Sequence, residues 1–413
     1  GEDILLQYAI ADVAWFVADG DPVDAEAWAR GETLYLPDGK ASLYPPVLSE
    51  NAVSLLPGGP RAAVVFAVRV APDGKAMLDG VERALILNHA KLAYETVTDA
   101  DLPDGFAELS DRITAAGDAR GAARVDPPEQ EVSEVAGGFT LAFRPMLDSE
   151  RRNASLSLAC NLAVADALLA AGTGLFRVMA EPDKRAIKRL RHTAQAIGLD
   201  WPIAMSLEQR LRHLDPRDPI EAAFMLAERR AGDGASYAPY RKGETPWHAA
   251  MTATYAQATA PLRRLADRYV VQAALAVANG QPVPDQVSQA FEKLPPVMAK
   301  ADAKAGQVNR AVLDLAEAVA LKNRVGASFK AVVTDLDDRG ARIQVCDPAV
   351  VARVAGDGLT PGDHVSVTLT ATDPDKADYW QDRAGQQQPG IDKSAERARD
   401  ASDQAPDPMD LPP

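Results

Sequence analysis

The stretch Tyr255-Ala-Gln-Ala-Thr-Ala-Pro-Leu-Arg-Arg-Leu-Ala-Asp-Arg-Tyr269 decides how the rest of this sequence is read. Pro261 sets a backbone angle suited to a helix N-terminus and gives up a donor that would be unpaired there. The pattern predicts a helix that starts at Pro261 and runs to about Asn279-Gly280. Arg263 and Arg264 then fall in its first turn. Positive charge there opposes the helix dipole, so local stability does not account for it. Free backbone N–H groups beside a guanidinium fork suit a phosphate. Ion pairing, for instance with Asp267, is the competing use of either arginine.

A formal net charge of −15 over 413 residues argues against a general polyanion-binding surface. It is compatible with one enclosed basic site. The length suggests about two or three domains, and an apolar fraction of 47% is ordinary for a chain with a sizeable core. Cys160 sits in an apolar helical pattern and Cys346 in a strand pattern. Both read as small buried hydrophobes, a use that fits a reducing compartment. Neither a signal peptide nor an apolar run of membrane-spanning length is evident. The expectation is a cytoplasmic monomer with no membrane partner.

Outward from the Pro261 stretch, the chain reads as α+β. Ile4–Ala11, Ala62–Val70 and Ala76–Leu87 are apolar strand patterns, the last two joined by the turn signal Ala71-Pro-Asp-Gly74. His89–Val97 starts a helix; loop and helix mix over 99–128, where Pro127-Pro128 is a breaker. Gly137–Phe143 alternates like a half-buried strand. Helices are expected at Ala154–Ala171, at Asp183–Ile197 with a basic face, at Leu207–Leu214 and at Pro219–Ala231. Trp247–Ala258 leads into the Pro261 helix. Two helices follow over Asp285–Val325, separated at Pro295-Pro296. Ser328–Thr334, Ala341–Val345, Val350–Val354 and His364–Ala371 are short strands with turns at 337–340 and 361–363, the pattern of a small OB-type barrel. Residues 386–413 are polar and read as a disordered tail.

The motif Tyr-Ala-x-x-Thr-x-Pro-Leu-Arg-Arg-x-x-Asp resembles the signature of the RNB-domain ribonucleases, the ribonuclease II and ribonuclease R family. Three further blocks agree, in the family's order. The first is Tyr8-Ala-Ile-Ala-Asp-Val-Ala-Trp-Phe-Val17 with Asp24-Ala-Glu-Ala-Trp-Ala-Arg-Gly-Glu-Thr-Leu-Tyr-Leu-Pro37. The others are Tyr44-Pro-Pro-Val-Leu-Ser-Glu-Asn-Ala-Val-Ser-Leu-Leu56 and Lys91-Leu-Ala-Tyr94. The resemblance spans roughly Tyr8 to Arg324. It implies an RNB-like mixed β-sheet with a large helical part over 1–325, and an S1/OB-like module over 326–376.

Taken alone, Tyr35 in Leu-Tyr-Leu-Pro reads as a core residue, and Tyr94 is equally bland. The resemblance reverses both: Tyr35 matches a tyrosine that holds the 3′-terminal nucleotide, and Tyr94, after Lys91, matches one that contacts RNA. Arg263 matches the arginine that binds the phosphate beside the scissile bond, which makes Arg263 and Tyr35 the candidate catalytic residues. Arg264, Lys91 and Tyr94 are candidate RNA contacts, with Arg264 the more structural of the two arginines. Ala260 stands where many relatives have serine. Asp12 reads as a capping or pairing carboxylate, and His89, His192, His213 and His248 as structural or surface groups. The resemblance further implies Mg²⁺ held by an aspartate cluster upstream of Gly1, with no metal ligands in the chain itself. It implies single-stranded RNA as partner and 3′→5′ hydrolysis to nucleoside 5′-monophosphates. Asn153 and Asn309 stand near places where some active relatives carry glutamates, a warning about activity, and without upstream aspartates the alternative is a pseudo-nuclease that holds RNA 3′ ends or a protein partner. Without the resemblance the chain reads as an acidic helical interaction protein.

Overall fold

A computed structural model describes residues 2–122, 129–135, 138–144, 146–215, 218–232, 234–337, 340–345, 350–356, 358–360, 363–373 and 378–379. Cys346, Pro127-Pro128, the 386–413 tail, Gly137 and parts of the two C-terminal turns lie outside the described residues.

From the N-terminus the chain forms β1 (Ile4–Ala11), the helices α1 (Val13–Phe16) and α2 (Pro22–Arg30), and the hairpin β2 (Leu34–Leu36) with β3 (Gly39–Ala41). A π-helical turn at Val47–Ala52 leads to the long strands β4 (Pro60–Val70) and β5 (Ala76–Leu87). These pair as an antiparallel sheet in the order β1-β4-β5, with Tyr8 opposite Phe66 and Phe66 opposite Val81. Strand alternation sends Ile10, Val64, Phe66, Val68 and Val81 to one buried face. All three strands match the sequence expectation. Gly74 closes the turn at φ +77°, where a side chain would run into the Arg112 carbonyl.

Helix α3 (Phe106–Arg120), the hairpin β6 (Glu129–Val135) with β7 (Gly138–Arg144), and α4 (Asp148–Ala170) follow. α4 is long and apolar enough to cross a membrane by length and composition, contrary to expectation. Its Ala159, Cys160, Ala163, Val164 and Leu168 are instead buried in the main core, against the sheet. Burial pushes the Cys160 thiol pKa well up, as for an inert core cysteine. No helix forms at 89–97: Asn88 accepts from Ala90 N at 3.1 Å and donates to Leu55 O at 2.6 Å, holding an irregular segment.

Next come β8 (Leu175–Met179), α5 (Lys184–Ala196), α6 (Leu207–Leu211), α7 (Pro219–Ala231), β9 (Ala235–Pro239), β10 (Trp247–His248) and β11 (Ala253–Thr254). Helices α5 to α7 enclose a small core of their own around Trp201 and Phe224. The strands form a sheet in the order β11-β10-β8-β9, and 247–258 holds only a single 3₁₀ turn at Ala249–Met251, with no α-helix. Helix α8 (Leu265–Ala278) starts four residues after Pro261. Helix α9 (Asp285–Leu321) runs unbroken through Pro295 and Pro296. Two prolines remove two donors, but Phe291, Leu294 and Met298 around them are all buried, and that burial outweighs the loss.

At the C-terminus β12 (Ser328–Asp337), β13 (Gly340–Val345), β14 (Val350–Val354) and β15 (His364–Thr368) form an antiparallel sheet in the order β14-β13-β12-β15 over a separate apolar core. The short strands β16 (Thr372–Asp373) and β17 (Asp378–Tyr379) pair with each other. Among the described residues β14 and β15 do not pair, so closure of the expected barrel is not seen there. Helices and sheets of an N-terminal part followed by a small β module otherwise match the α+β expectation.

Glu317 on α9 is buried where this module meets β6: it accepts from Val351 N at 3.0 Å and from Gln130 Nε2 at 2.6 Å. Burial raises its carboxyl from 4.5 to about 7, against the pull of those two donors. The folded state therefore keeps a proton that the unfolded chain loses. Its stabilising contribution is complete below about pH 4.5 and is lost as pH rises through about 7. We expect Glu317→Gln to raise stability at pH 8 by about 2 kcal/mol relative to the native chain and to change it little at pH 4. Thermal melts at the two pH values check this.

Candidate nucleic-acid site

The segment 255–264 is held from two sides. On one, Asn161 of α4 accepts from Ala258 N at 2.9 Å and donates to Tyr255 OH at 3.2 Å. On the other, Asp267, fully buried, accepts from Ala260 N at 2.8 Å and from Arg264 through both oxygens at 2.8 and 2.7 Å. The backbone is stitched to 31–33: Thr33 N donates to Arg263 O at 3.0 Å and Leu265 N to Gly31 O at 2.9 Å. Gly31, at φ +75°, lies hard against α9: a Cβ there would lie 2.6 Å from Ala301 Cβ.

This pairing explains the late helix start. Arg264 is extended (φ −133°, ψ 124°) and bridges Glu32 like a strand residue. Arg263 and Arg264 therefore precede the first turn of α8, and Leu265 N is already bonded to Gly31. The anion site expected from helix N–H groups is replaced by one that depends on a guanidinium.

The two arginines have opposite surroundings. Arg264 is only 12% exposed in its side chain and grips Asp267 with two bonds. Burial alone would lower its pKa, but the Asp267 carboxylate outweighs that and raises it. Nε and Nη2 are both committed to Asp267, which makes this arginine a structural clamp on the turn. Arg263 is exposed and has no side-chain hydrogen bond or ion pair among the described residues.

Arg263 opens into a cleft of about 320 Å³. Its walls are Tyr8–Ala11 of β1, the hairpin residues Thr33, Tyr35, Lys40 and Ser42, Ser49 and Leu55, and Thr259–Arg263. Tyr35 is 63% exposed, so an apolar-segment tyrosine that composition places in the core stands in the open. Tyr8 and Lys40 also line the cleft, and sequence reasoning had not singled them out. The Tyr8 phenol shares a 2.7 Å hydrogen bond with Ser157. Burial raises its pKa, against pulls from Ser157 and Arg263. The alternation of β1 carried a signal for Tyr8, since it falls on the buried face, where a hydroxyl needs a partner.

Tyr94 and Lys91 do not line the cleft. Tyr94 is exposed, and its OH accepts from Asn153 Nδ2 at 2.9 Å. Lys91 is exposed in the irregular segment before it. Asp12 is spoken for: Oδ1 caps α1 at Trp15 N, and Oδ2 accepts from Arg83 at 2.7 Å. His89, His192 and His213 are exposed. His248 is buried edge-on to Tyr255, and burial with the Arg177 charge drops its pKa to about 4, so it is neutral at pH 7.

Among the described residues no three His, Cys, Asp or Glu side chains gather as a metal site. The cleft lining includes no carboxylate. Mg²⁺ needs hard oxygen ligands, and these residues do not fit it.

Residues 1–278 match the RNB domain, and residues 327–380 match the RNase II-type exonuclease C-terminal S1 domain. The chain belongs to the RNB-domain ribonuclease family. It is 26% identical to ribonuclease R of Thermotoga maritima over 379 residues, covering 84% of this chain and 52% of that protein. Against ribonuclease R of Escherichia coli the figures are 24% over 384 residues, 83% and 46%. The chain thus spans about half the length of these curated relatives. Among solved structures, Mycoplasma genitalium RNase R in complex with ribose-methylated single-stranded RNA superposes with a TM-score of 0.81 at 19% identity, covering 92% of this chain and 67% of that one. Yeast Ssd1, a pseudonuclease, superposes at 0.66 and 18% identity, covering 89% and 47%. These likenesses establish the fold.

The contrast between the arginines is testable. Arg264→Ala should cost about 3 kcal/mol by leaving Asp267 buried and unpaired, whereas Arg263→Ala should change stability by less than about 0.5 kcal/mol. Urea unfolding of the two variants checks this.

Proposed function

We propose that this chain is the RNB and S1 part of a Mg²⁺-dependent 3′→5′ exoribonuclease that hydrolyses single-stranded RNA processively to nucleoside 5′-monophosphates. The observation that carries this reading is the Arg263 guanidinium, exposed and without an ion-pair partner among the described residues, in a cleft that it lines together with Tyr35 and that has no carboxylate in its lining, in an acidic protein. A phosphate satisfies the fork, and a base stacks on the ring without sequence preference. Arg263 grips the phosphate beside the scissile bond and offsets charge developing on it. Tyr35 holds the 3′-terminal nucleotide. Tyr94, steadied by Asn153, and Lys91 contact RNA further along. Arg264 acts through Asp267 by fixing the turn.

We assign 1–325 to the RNB-like unit and 326–376 to the S1-like unit. The Mg²⁺ ligands, absent from this cleft, are aspartates upstream of Gly1, as the family resemblance implies. A cytoplasmic location fits the buried, free Cys160, and we assign the chain as a monomer. A second reading, a pseudo-nuclease that holds RNA without cutting it, is favoured by two observations. Asn153 is engaged with Tyr94 at one of the two places where some active relatives carry glutamate, and a pseudonuclease shares the fold.

A 5′-labelled single-stranded RNA, incubated with Mg²⁺ or EDTA, separates the readings. We expect metal-dependent shortening by a form extended upstream of Gly1, and a loss of at least about 100-fold in rate on Arg263→Ala. Retention of RNA without shortening by either form would establish the binder. No retention at all would exclude both.

A further inference from the structure

Lys40 is the second cation of the cleft. It sits on β3 directly opposite Tyr35 on β2. Directly opposed residues of an antiparallel pair project to the same face, and both side chains line the cleft with Arg263. The lining therefore joins two tyrosine rings, Tyr8 and the exposed Tyr35, to two cationic groups, with no carboxylate among its residues, in a chain of net charge −15. That composition matches the requirement of a single-stranded nucleic acid, whose phosphates alternate with bases.

Among the described residues Lys40 has one ionic partner, Glu50, whose Oε1 lies 3.1 Å from its Nζ. Glu50 belongs to the turn at Val47–Ala52 and is not part of the cleft lining. The pair is half in solvent, with side chains 41% and 48% exposed. Exposed ion pairs contribute only about 0–1 kcal/mol, so an incoming phosphate meets little resistance when it takes Lys40 from Glu50. The clamp of Arg264 on Asp267 differs: that carboxylate is fully buried and its partner nearly so.

We propose that Lys40 is a second phosphate-contacting residue of the cleft, engaging a phosphate adjacent to the one that Arg263 grips, and that Glu50 is the anion it leaves when RNA enters. The assignment rests on the RNA reading of the cleft and deepens it. Arg263 and Lys40 then bind neighbouring phosphates from two different chain segments, and Glu50 sets the affinity by competing for one of them.

The test is equilibrium binding of a 5′-fluorescein single-stranded oligoribonucleotide, followed by anisotropy in EDTA over a range of salt concentrations. The proteins are the native chain, Lys40→Met, Lys40→Arg, Glu50→Gln and Arg263→Ala. A further variant, Glu292→Gln, removes a carboxylate from the exposed Arg241 pair and controls for the loss of one negative charge anywhere. We expect Lys40→Met to weaken binding about 5- to 10-fold and to flatten the log–log salt slope by about 0.7, the value for one phosphate contact on a single strand. Lys40→Arg should stay within about 2-fold of native. Glu50→Gln should tighten binding about 2- to 5-fold, more than Glu292→Gln does.

The opposite signs of Lys40→Met and Glu50→Gln carry the argument. If the pair merely braced the hairpin, both variants would weaken binding together and leave the slope unchanged. That result would overturn the assignment. So would an unchanged affinity for Lys40→Met alongside a loss for Arg263→Ala, which would leave the RNA reading of the cleft standing. If the native chain retained no RNA, or Arg263→Ala bound as well as native, the cleft reading itself would fall and take this inference with it.

Discussion

The fully buried carboxylate of Asp267 accepts three hydrogen bonds, two from Arg264 and one from Ala260 N. A buried charge of that kind is tolerated only when its lone pairs are filled, and here filling them shapes the backbone. Ala260 N is drawn toward the start of α8, the chain between turns back on itself, and residues 263–265 are pressed against 31–33. The next residue, Arg268, is also buried, and its guanidinium reaches Asp24 at 2.6 Å, Asp19 at 2.8 Å and Val17 O at 3.0 Å. Consecutive residues of one helix thus tie it to its own leading turn and to the N-terminal segment. Arg264, Asp267 and Arg268 are consumed in holding the structure. Arg263 is the group those bonds leave exposed, and its freedom follows from its neighbours' commitment.

The acidity of the chain and a nucleic-acid role are reconciled by where the charges lie. Exposed carboxylates of the surface are spread, many in pairs such as Arg69–Asp79 and Arg241–Glu292. The cleft has two cations and no carboxylate among its lining residues. A net negative field repels RNA at long range, but salt screens that repulsion beyond about 8–10 Å, whereas contacts within the cleft act at hydrogen-bond distance. On the proposed reading, a strand that enters the cleft meets cations at contact distance, while the net charge of the chain disfavours general binding of polyanions.

Much of this was legible in the residues. Strands β1, β4 and β5 were readable because apolar alternation and the Pro-Asp-Gly turn agree, and Asp12 read correctly as a capping and pairing group. Two misreadings share a cause, a local rule that lost to a tertiary contact. Pro261 is a good first residue of a helix, yet pairing of 263–265 with 31–33 moves that helix to Leu265. Pro295-Pro296 is a good breaker, yet the buried face of α9 keeps it whole. Strands β8 to β11 escaped notice because two-to-five-residue strands leave almost no periodic signal. Adjacent arginines in one motif carry no mark of which will be clamped; only the position of Asp267 in space decides. Lys40 became a candidate only through the β2–β3 register, since its role depends on facing Tyr35 across a hairpin.

The central claim is that the cleft between the β2–β3 hairpin and the 259–263 turn receives the 3′ end of single-stranded RNA. A photo-crosslink from an oligoribonucleotide with 4-thiouridine at its 3′ terminus, mapped by mass spectrometry in EDTA, tests it most directly. The account predicts adducts on peptides that contain Tyr35 or Tyr8, and their loss when the probe instead carries the thiouridine at its 5′ end. Adducts confined to the basic face of α5 or to the C-terminal sheet, with none at the cleft, would contradict it.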